Sequence, residues 1–176
     1  MKRTLSLLAS VLMLLPLFSC TKENQTTIEK TWVASVKENP GIELGKIPAE
    51  YVVIDFSEAG KLKLGIVLTA AMADSFNAMA DSFNKEAGQQ TIAKENDVVI
   101  IKAFDVTISP SGKSSGTITL TKEEGSLTCN YSKMTKTYVE VSFQYGEGKD
   151  VIAKLHTPKS LGLKLGDYIP TPEGMF

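Results

Sequence analysis

The side chain best suited to acid–base chemistry is His156, the only histidine of the 176-residue chain, because an imidazole titrates near neutral pH. It ends an alternating segment in which Val151, Ala153 and Leu155 share one side. Successive side chains of a strand point to opposite faces, so His156 is predicted to point outward. We interpret it as an exposed residue and not as a general base.

Other groups that catalysis needs are scattered. Asp55, Asp105 and Glu140 fall on separate predicted strands and project outward, so no carboxylate pair is predicted. Cys129 alternates onto an apolar face, which favours a buried thiol over a reactive one. One histidine and one such cysteine cannot supply a His/Cys metal site. We therefore expect no enzyme, no metal and no cofactor.

The other cysteine, Cys20, follows a leader that has the composition of a secretory signal. Lys2-Arg3 is basic, and the apolar stretch Thr4–Phe18 is shorter than the roughly 20 residues of a membrane span. The leader ends in Leu17-Phe18-Ser19-Cys20, which resembles the bacterial lipobox. The resemblance implies a signal peptide over 1–19, cleavage before Cys20 and acylation of Cys20 with diacylglycerol and an amide-linked chain such as palmitate. Such chains anchor a protein to a membrane.

The residues after Cys20 bear on localisation. Thr21 is not the Asp that retains proteobacterial lipoproteins at the inner membrane, and Lys22-Glu23 resembles part of the surface-export signal of Bacteroidetes lipoproteins. Asn24 stands where that signal has a second acid. The resemblance implies the outer membrane of a bacterial envelope, with the periplasmic and the surface face both open. Residues 20–27 are polar and are predicted to be a lipidated tether.

Short alternating segments follow one another from residue 28. Three such segments come first, at Thr31–Lys37, Tyr51–Phe56 and Lys61–Ile66, and further ones run from Phe104 to Leu155, joined by short turns. We predict an all-β, antiparallel up-and-down barrel of eight or nine strands, with one amphipathic helix after the third strand. The barrel domain is assigned to residues 28–157 and a C-terminal extension to 158–176.

The predicted helix, Thr69–Ala87, contains a direct repeat, Met72–Ala78 followed by Met79–Lys85. Four large apolar residues spaced four, three and four apart form one stripe: Met72, Phe76, Met79 and Phe83. This stripe either packs on the barrel as fixed core or serves as a mobile lid or partner surface, because Met is an adaptable contact residue.

The inward-facing set of the predicted barrel is almost wholly apolar. An eight-stranded barrel is just wide enough to be filled by its side chains or to hold one small ligand. Both alternatives stay open at this point. In the second one, the interior ligand site consists of Trp32, Ile54, Phe56, Leu64, Phe104, Val106, Ile118, Tyr131, Val141 and Phe143.

The segment Ile28-Glu29-Lys30-Thr31-Trp32, followed by a meander with one helix, resembles the lipocalin-like lipoproteins of Bacteroidetes. Their first strand usually begins Gly-Thr-Trp, with the Trp plugging one barrel end; Lys30 stands in place of that Gly. The resemblance implies non-catalytic binding of a small apolar or amphipathic molecule. The alternative is a structural or interaction module of the envelope with a filled core, whose protein partner the sequence does not indicate.

The charge balance bears on one further class of partner. The formal net charge is −1, and removal of Lys2 and Arg3 with the leader would change it to −1 − 2 = −3. Nucleic-acid binders carry a basic footprint. A weakly acidic, mixed surface therefore argues against nucleic acid.

Overall fold

The structure is a computed structural model that describes residues 27–42, 47–84, 92–122, 125–145 and 149–171. Its strands are β1 (Thr31–Ser35), β2 (Tyr51–Asp55), β3 (Lys61–Val67), β4 (Val98–Pro110), β5 (Gly116–Lys122), β6 (Gly125–Ser132), β7 (Tyr138–Tyr145), β8 (Lys149–His156) and β9 (Tyr168–Pro170). Helix α1 spans Ala70–Asn84, and a 3-10 helix spans Pro158–Leu161. The predicted signal peptide, Cys20 and most of the predicted tether lie outside the described residues.

The first eight strands form a closed barrel. Each pairs antiparallel with the next one along the chain, and β8 returns to pair with β1. Strand β3 pairs with β4 although α1 lies between them in the sequence. The predicted antiparallel up-and-down barrel with one helix after the third strand is confirmed.

The seam between β1 and β8 is narrow and is extended by a buried side chain. Its ladder consists of the pair Val33–His156. Beyond it, Asn39 donates from Nδ2 to the carbonyl of Lys154 at 3.0 Å and accepts from the Lys154 amide at 2.6 Å. Asn39 is 3% exposed. Its amide therefore acts as one more peptide unit of the ladder and satisfies backbone groups that burial would otherwise leave unpaired.

A β-bulge marks the pairing of β3 with β4. Leu64 is opposite Lys102, but the next residue, Gly65, is opposite Ile100, so β4 holds one extra residue at Ile101. A Cβ atom on Gly65 would lie 2.7 Å from a methyl of Val98, which explains the glycine at this close approach.

The C-terminal segment covers the outside of the barrel. Three leucines of residues 161–165 pack on a second apolar layer formed by outward-facing valines: Val33, Val53, Val67 and Val98. Strand β9 then pairs in parallel with the start of β4. The pattern of Leu161–Leu165 predicts a short edge segment. In the structure these leucines instead pack on the outer face, because the outward-facing valines of β1 to β4 would otherwise be exposed to water. The segment that pairs at the edge of β4 is β9.

Helix α1 begins after Thr69, whose hydroxyl accepts a hydrogen bond from the amide of Met72 at 3.3 Å. Its first half packs against β3, β4 and β9 in a separate cluster with Ile66, Val99 and Ile169. The side-chain amide of Asn77 pairs with both backbone groups of Ala93, at 2.8 and 2.9 Å. The helix is therefore held at its first turns and at Asn77.

Candidate functional site

One end of the barrel is closed around Trp32, which is 0% exposed. The indole nitrogen donates a hydrogen bond to the carbonyl of Ile28 at 2.9 Å. The ammonium of Lys30 lies 4.3 Å from the centre of the ring and donates to the carbonyl of Lys136 at 2.7 Å. Burial lowers the pKa of Lys30. Lys30 thus covers the indole ring of Trp32 from outside.

The packing around Tyr131 completes this closed end. Tyr131 is 2% exposed, and burial, followed by the charge of Glu29, raises the pKa of its phenol. A Cβ atom on Gly116 would lie 2.5 Å from the Tyr131 hydroxyl and 2.6 Å from the carbonyl of Ser109. Only a glycine at this register partner of Tyr131 leaves room for the ring.

The opposite end of the barrel, which we call the mouth, is less tightly covered. It is formed by the ends of β3, β5 and β7 and the starts of β4, β6 and β8. Inward-facing apolar residues here and in the middle of the barrel are only partly buried: Ile54, Leu64, Phe104, Leu120, Leu127, Val141 and Phe143. Ile108, near the far tip of the β4–β5 hairpin, is a partly buried residue outside this set.

Partial exposure of inward-facing residues extends from the mouth to the register partner of Trp32. Ile54 is partly exposed although its register partner on β1 is Trp32. Leu64 is the register partner of Ile54 on the other side and is also partly exposed. Partial exposure of inward-facing residues therefore continues across three neighbouring strands. The buried side chain of Trp32 forms the floor of this part of the barrel interior.

All ten residues predicted for the interior site lie in one apolar cluster. Five of them are buried: Trp32, Phe56, Val106, Ile118 and Tyr131. The other five are the partly buried set Ile54, Leu64, Phe104, Val141 and Phe143. The arrangement can hold an apolar chain against the second group, with the first group as a rigid base.

Sequence reasoning missed Lys102. It is the register partner of Leu64 on β3, which in turn pairs with Ile54 on β2. Leu64 and Ile54 face inward, so Lys102 occupies an inward-facing position at the mouth. Its ammonium lies 5.5 Å from the centre of the Phe104 ring. The run Val98–Ile101 hides the alternation before it, but counting two residues back from Phe104 would have identified the position.

Helix α1 lies at the mouth on the side of β3 and β4. Phe76 is 4% exposed and Met72 is partly buried against the same cluster. Met79 is 43% exposed, so of the three described side chains of the predicted stripe two are covered and one is exposed. The side chain of Phe83 lies outside the described part of the chain.

The residues with chemical reactivity do not meet. His156 faces outward as predicted but is half-buried, because its Nε2 lies 2.9 Å from a Glu38 carboxylate oxygen and its ring packs 5.2 Å from that of Tyr138. Cys129 is 7% exposed, inside the barrel, and burial raises the pKa of its thiol. The imidazole and the thiol therefore lie on opposite faces of the sheet.

The outward carboxylates are engaged separately. Asp105 pairs with Lys61, and Glu140 pairs with Lys133 at 2.9 Å. Asp55 is 6% exposed and accepts hydrogen bonds from the Ser57 amide and the Thr31 hydroxyl, at 2.9 and 3.0 Å. Within the described ranges, no three His, Cys, Asp or Glu side chains lie close enough together to hold a metal ion. No described helix is long and apolar enough to span a membrane.

Fold and site together define a closed, eight-stranded up-and-down β-barrel whose apolar interior is sealed at one end and partly exposed at the other. No family model matches the chain, and neither a curated protein nor a solved structure is significantly similar to it.

Proposed function

We propose that this protein is a lipid-anchored lipoprotein of the bacterial envelope that binds a small apolar or amphipathic molecule inside its barrel, without catalysis. The observation that carries the binding part is the partial exposure of inward-facing apolar residues from the mouth down to Ile54. Apolar concave surfaces with few polar groups are typical of small-molecule sites. The buried closed end supports the same interpretation, because it supplies a rigid floor.

The gain from occupying this space comes mainly from apolar surface. Each square ångström of apolar area that a ligand and the barrel remove from water contributes about 25 cal/mol. The partly exposed residues Phe104, Leu127, Val141 and Phe143 lie on three strands, β4, β6 and β7, and face a common interior. A ligand that contacts several of them would be bound chiefly by burial, so its selectivity would depend on length and shape.

The anchoring part of the proposal rests on Leu17-Phe18-Ser19-Cys20 and on the resemblance of the chain to lipocalin-like lipoproteins. Metabolic labelling with an acyl analogue tests it. We expect label on the wild-type protein and none on Cys20→Ser, which should remain an uncleaved or unlipidated form. Label that persists on Cys20→Ser would contradict the assignment.

Binding is testable with the chain that begins at Thr21, which contains every described residue. Trp32 is the single tryptophan and lies at the floor, so its emission reports on the interior. We expect N-phenyl-1-naphthylamine, a neutral apolar fluorophore, to bind at one saturable site and to quench Trp32 by energy transfer. A cooperative circular-dichroism melt establishes that the protein used is folded.

A matched pair of substitutions locates the probe. Val141→Phe adds volume at a partly exposed inward position, while Ile152→Phe adds it at an outward position that is 57% exposed. We expect Val141→Phe to weaken probe binding at least about fivefold, which corresponds to roughly 1 kcal/mol, and Ile152→Phe to leave it unchanged. Folded protein without saturable binding would favour the alternative, a structural or interaction module.

A further inference from the structure

The charge at Lys102 is placed where it can act on a bound molecule. Register partners connect Trp32 on β1, Ile54 on β2, Leu64 on β3 and Lys102 on β4 in one row of the inner wall. The row begins with the second residue at the closed end of β1 and ends in the half of β4 that starts at the mouth, so it climbs from the closed end toward the mouth, as the tilt of barrel strands allows. Three strand spacings of about 4.8 Å give about 14 Å from floor to Lys102 along the wall.

Lys102 is also available for a new partner. Among the described residues, no group accepts an ion pair or hydrogen bond from its ammonium, which lies 5.5 Å from the centre of the Phe104 ring. The other inward-facing strand positions whose side chains are described carry no charge. An ammonium offers three donors and no acceptor. Among the inward-facing positions whose side chains are described, Lys102 is therefore the one cationic, donor-only group, and it lies at the rim of an apolar space.

Within the proposed binding function, on which this inference rests, we propose that the ligand is a monoanionic amphiphile with one aliphatic tail. Its carboxylate pairs with the Lys102 ammonium at the mouth. Its tail follows the row past Leu64 and Ile54 to Trp32. An acidic head at this position gains a charge-assisted hydrogen bond, whereas a cationic head would be repelled and a neutral head would gain less.

Ligands that share one tail and differ in head group test the anionic-head assignment separately from apolar binding. Dodecanoate, dodecan-1-ol and dodecylammonium have the same tail and are used below micellar concentration to displace N-phenyl-1-naphthylamine from the chain that begins at Thr21. We expect dodecanoate to compete best and dodecylammonium worst. We expect the advantage of dodecanoate over dodecanol to shrink as salt is raised, because ion pairs at a solvated mouth are screened.

Lys102→Met keeps an unbranched side chain only one atom shorter and removes its charge. We expect it to weaken the binding of dodecanoate about 3- to 10-fold. This range lies between the contribution of a screened surface ion pair and that of a charge-assisted hydrogen bond. The affinity for dodecanol should change by less than about twofold. Lys102→Arg should retain the preference. Lys113→Met, at an exposed lysine of the β4–β5 turn at the far end, is the control and should change neither affinity.

Each outcome decides between the two proposals. Equal affinity for dodecanoate and dodecanol, tighter binding of dodecylammonium, or an equal loss for acid and alcohol in Lys102→Met would overturn the anionic-head assignment and leave apolar binding standing. Absence of any displaceable probe in folded protein would overturn the binding function itself. If Lys102→Met does not fold, the head-group and salt series on the wild-type protein still decide.

Discussion

The closed end and the mouth are built by the same strands with the same alternation, yet they bury their inward-facing residues to different degrees. At the closed end, Ile28 and Lys30 contact the indole of Trp32, and Met134 is buried in the same apolar cluster. At the mouth, helix α1 covers the side of β3 and β4, and apolar residues such as Val141 and Phe143 are partly exposed. Strand patterning thus creates an apolar interior, and covering segments determine which part of it meets water.

The largest expected effect tests this comparison directly. We expect Trp32→Ala to cost about 4–5 kcal/mol of unfolding free energy, since it empties a fully buried site. Phe143→Ala should cost about half as much or less, because the ring is already partly exposed. Denaturant melts followed by circular dichroism measure both. Equal costs would show that the two ends are packed alike.

The second expected effect concerns the part of the mouth that is covered. Phe76 of α1 is buried with Ile66 and Val99, so Phe76→Ala should cost about 3–4 kcal/mol. Met79→Ala should cost less, because Met79 is 43% exposed. Amide exchange over Ala70–Asn84 provides the second measurement. Strong protection in the free protein that a probe does not change favours fixed packing, whereas protection that appears only with the probe favours a lid.

A smaller effect is expected where the closed end has no spare room. Gly116→Ala would place a methyl against the Tyr131 ring and the carbonyl of Ser109, and overpacking of this kind costs about 1–3 kcal/mol. The mouth offers the control, because Val141→Phe enlarges a residue that has accessible space beside it. A melt in which Val141→Phe is the more destabilised variant would reverse the assignment of the two ends.

The smallest effect is a pH dependence on the outer face. Burial would raise the pKa of Asp55, but hydrogen bonds from Ser57, Thr31 and Tyr168 outweigh it and lower the pKa. A carboxyl whose folded pKa lies below its unfolded pKa stabilises the fold above the unfolded value, and this contribution is lost as pH falls through the folded value. The stability advantage of wild type over Asp55→Asn should therefore shrink from pH 6 to pH 3, while an equal advantage at both would contradict the shift.

The fold was largely predictable from the sequence because its signals are local. Alternation placed Trp32, Ile54, Leu64, Phe104 and Val141 on one face, and the period of α1 identified Phe76 as a contact residue. The interior site followed from the same alternation. Its division into buried and partly exposed residues did not follow, because that depends on segments distant in the sequence.

Three features needed the tertiary structure. Asn39 pairs with Lys154, which is 115 residues away, and nothing near Asn39 in the sequence indicates that partner. His156 was expected to be exposed but is half-buried beside Glu38, which belongs to the turn after β1. The valines on the outer face of β1 and β2 are covered by leucines near the C-terminus.

The sequence by itself therefore determined the period of each element and the apolar face that each one presents, because both depend on backbone geometry within a few residues. The tertiary structure decided which segment covers which face, where the bulge at Ile101 falls, and that Lys102 stands at the rim of the interior. These depend on contacts between distant parts of the chain. Their free energies are set by the fit of two surfaces, which no single stretch of sequence contains.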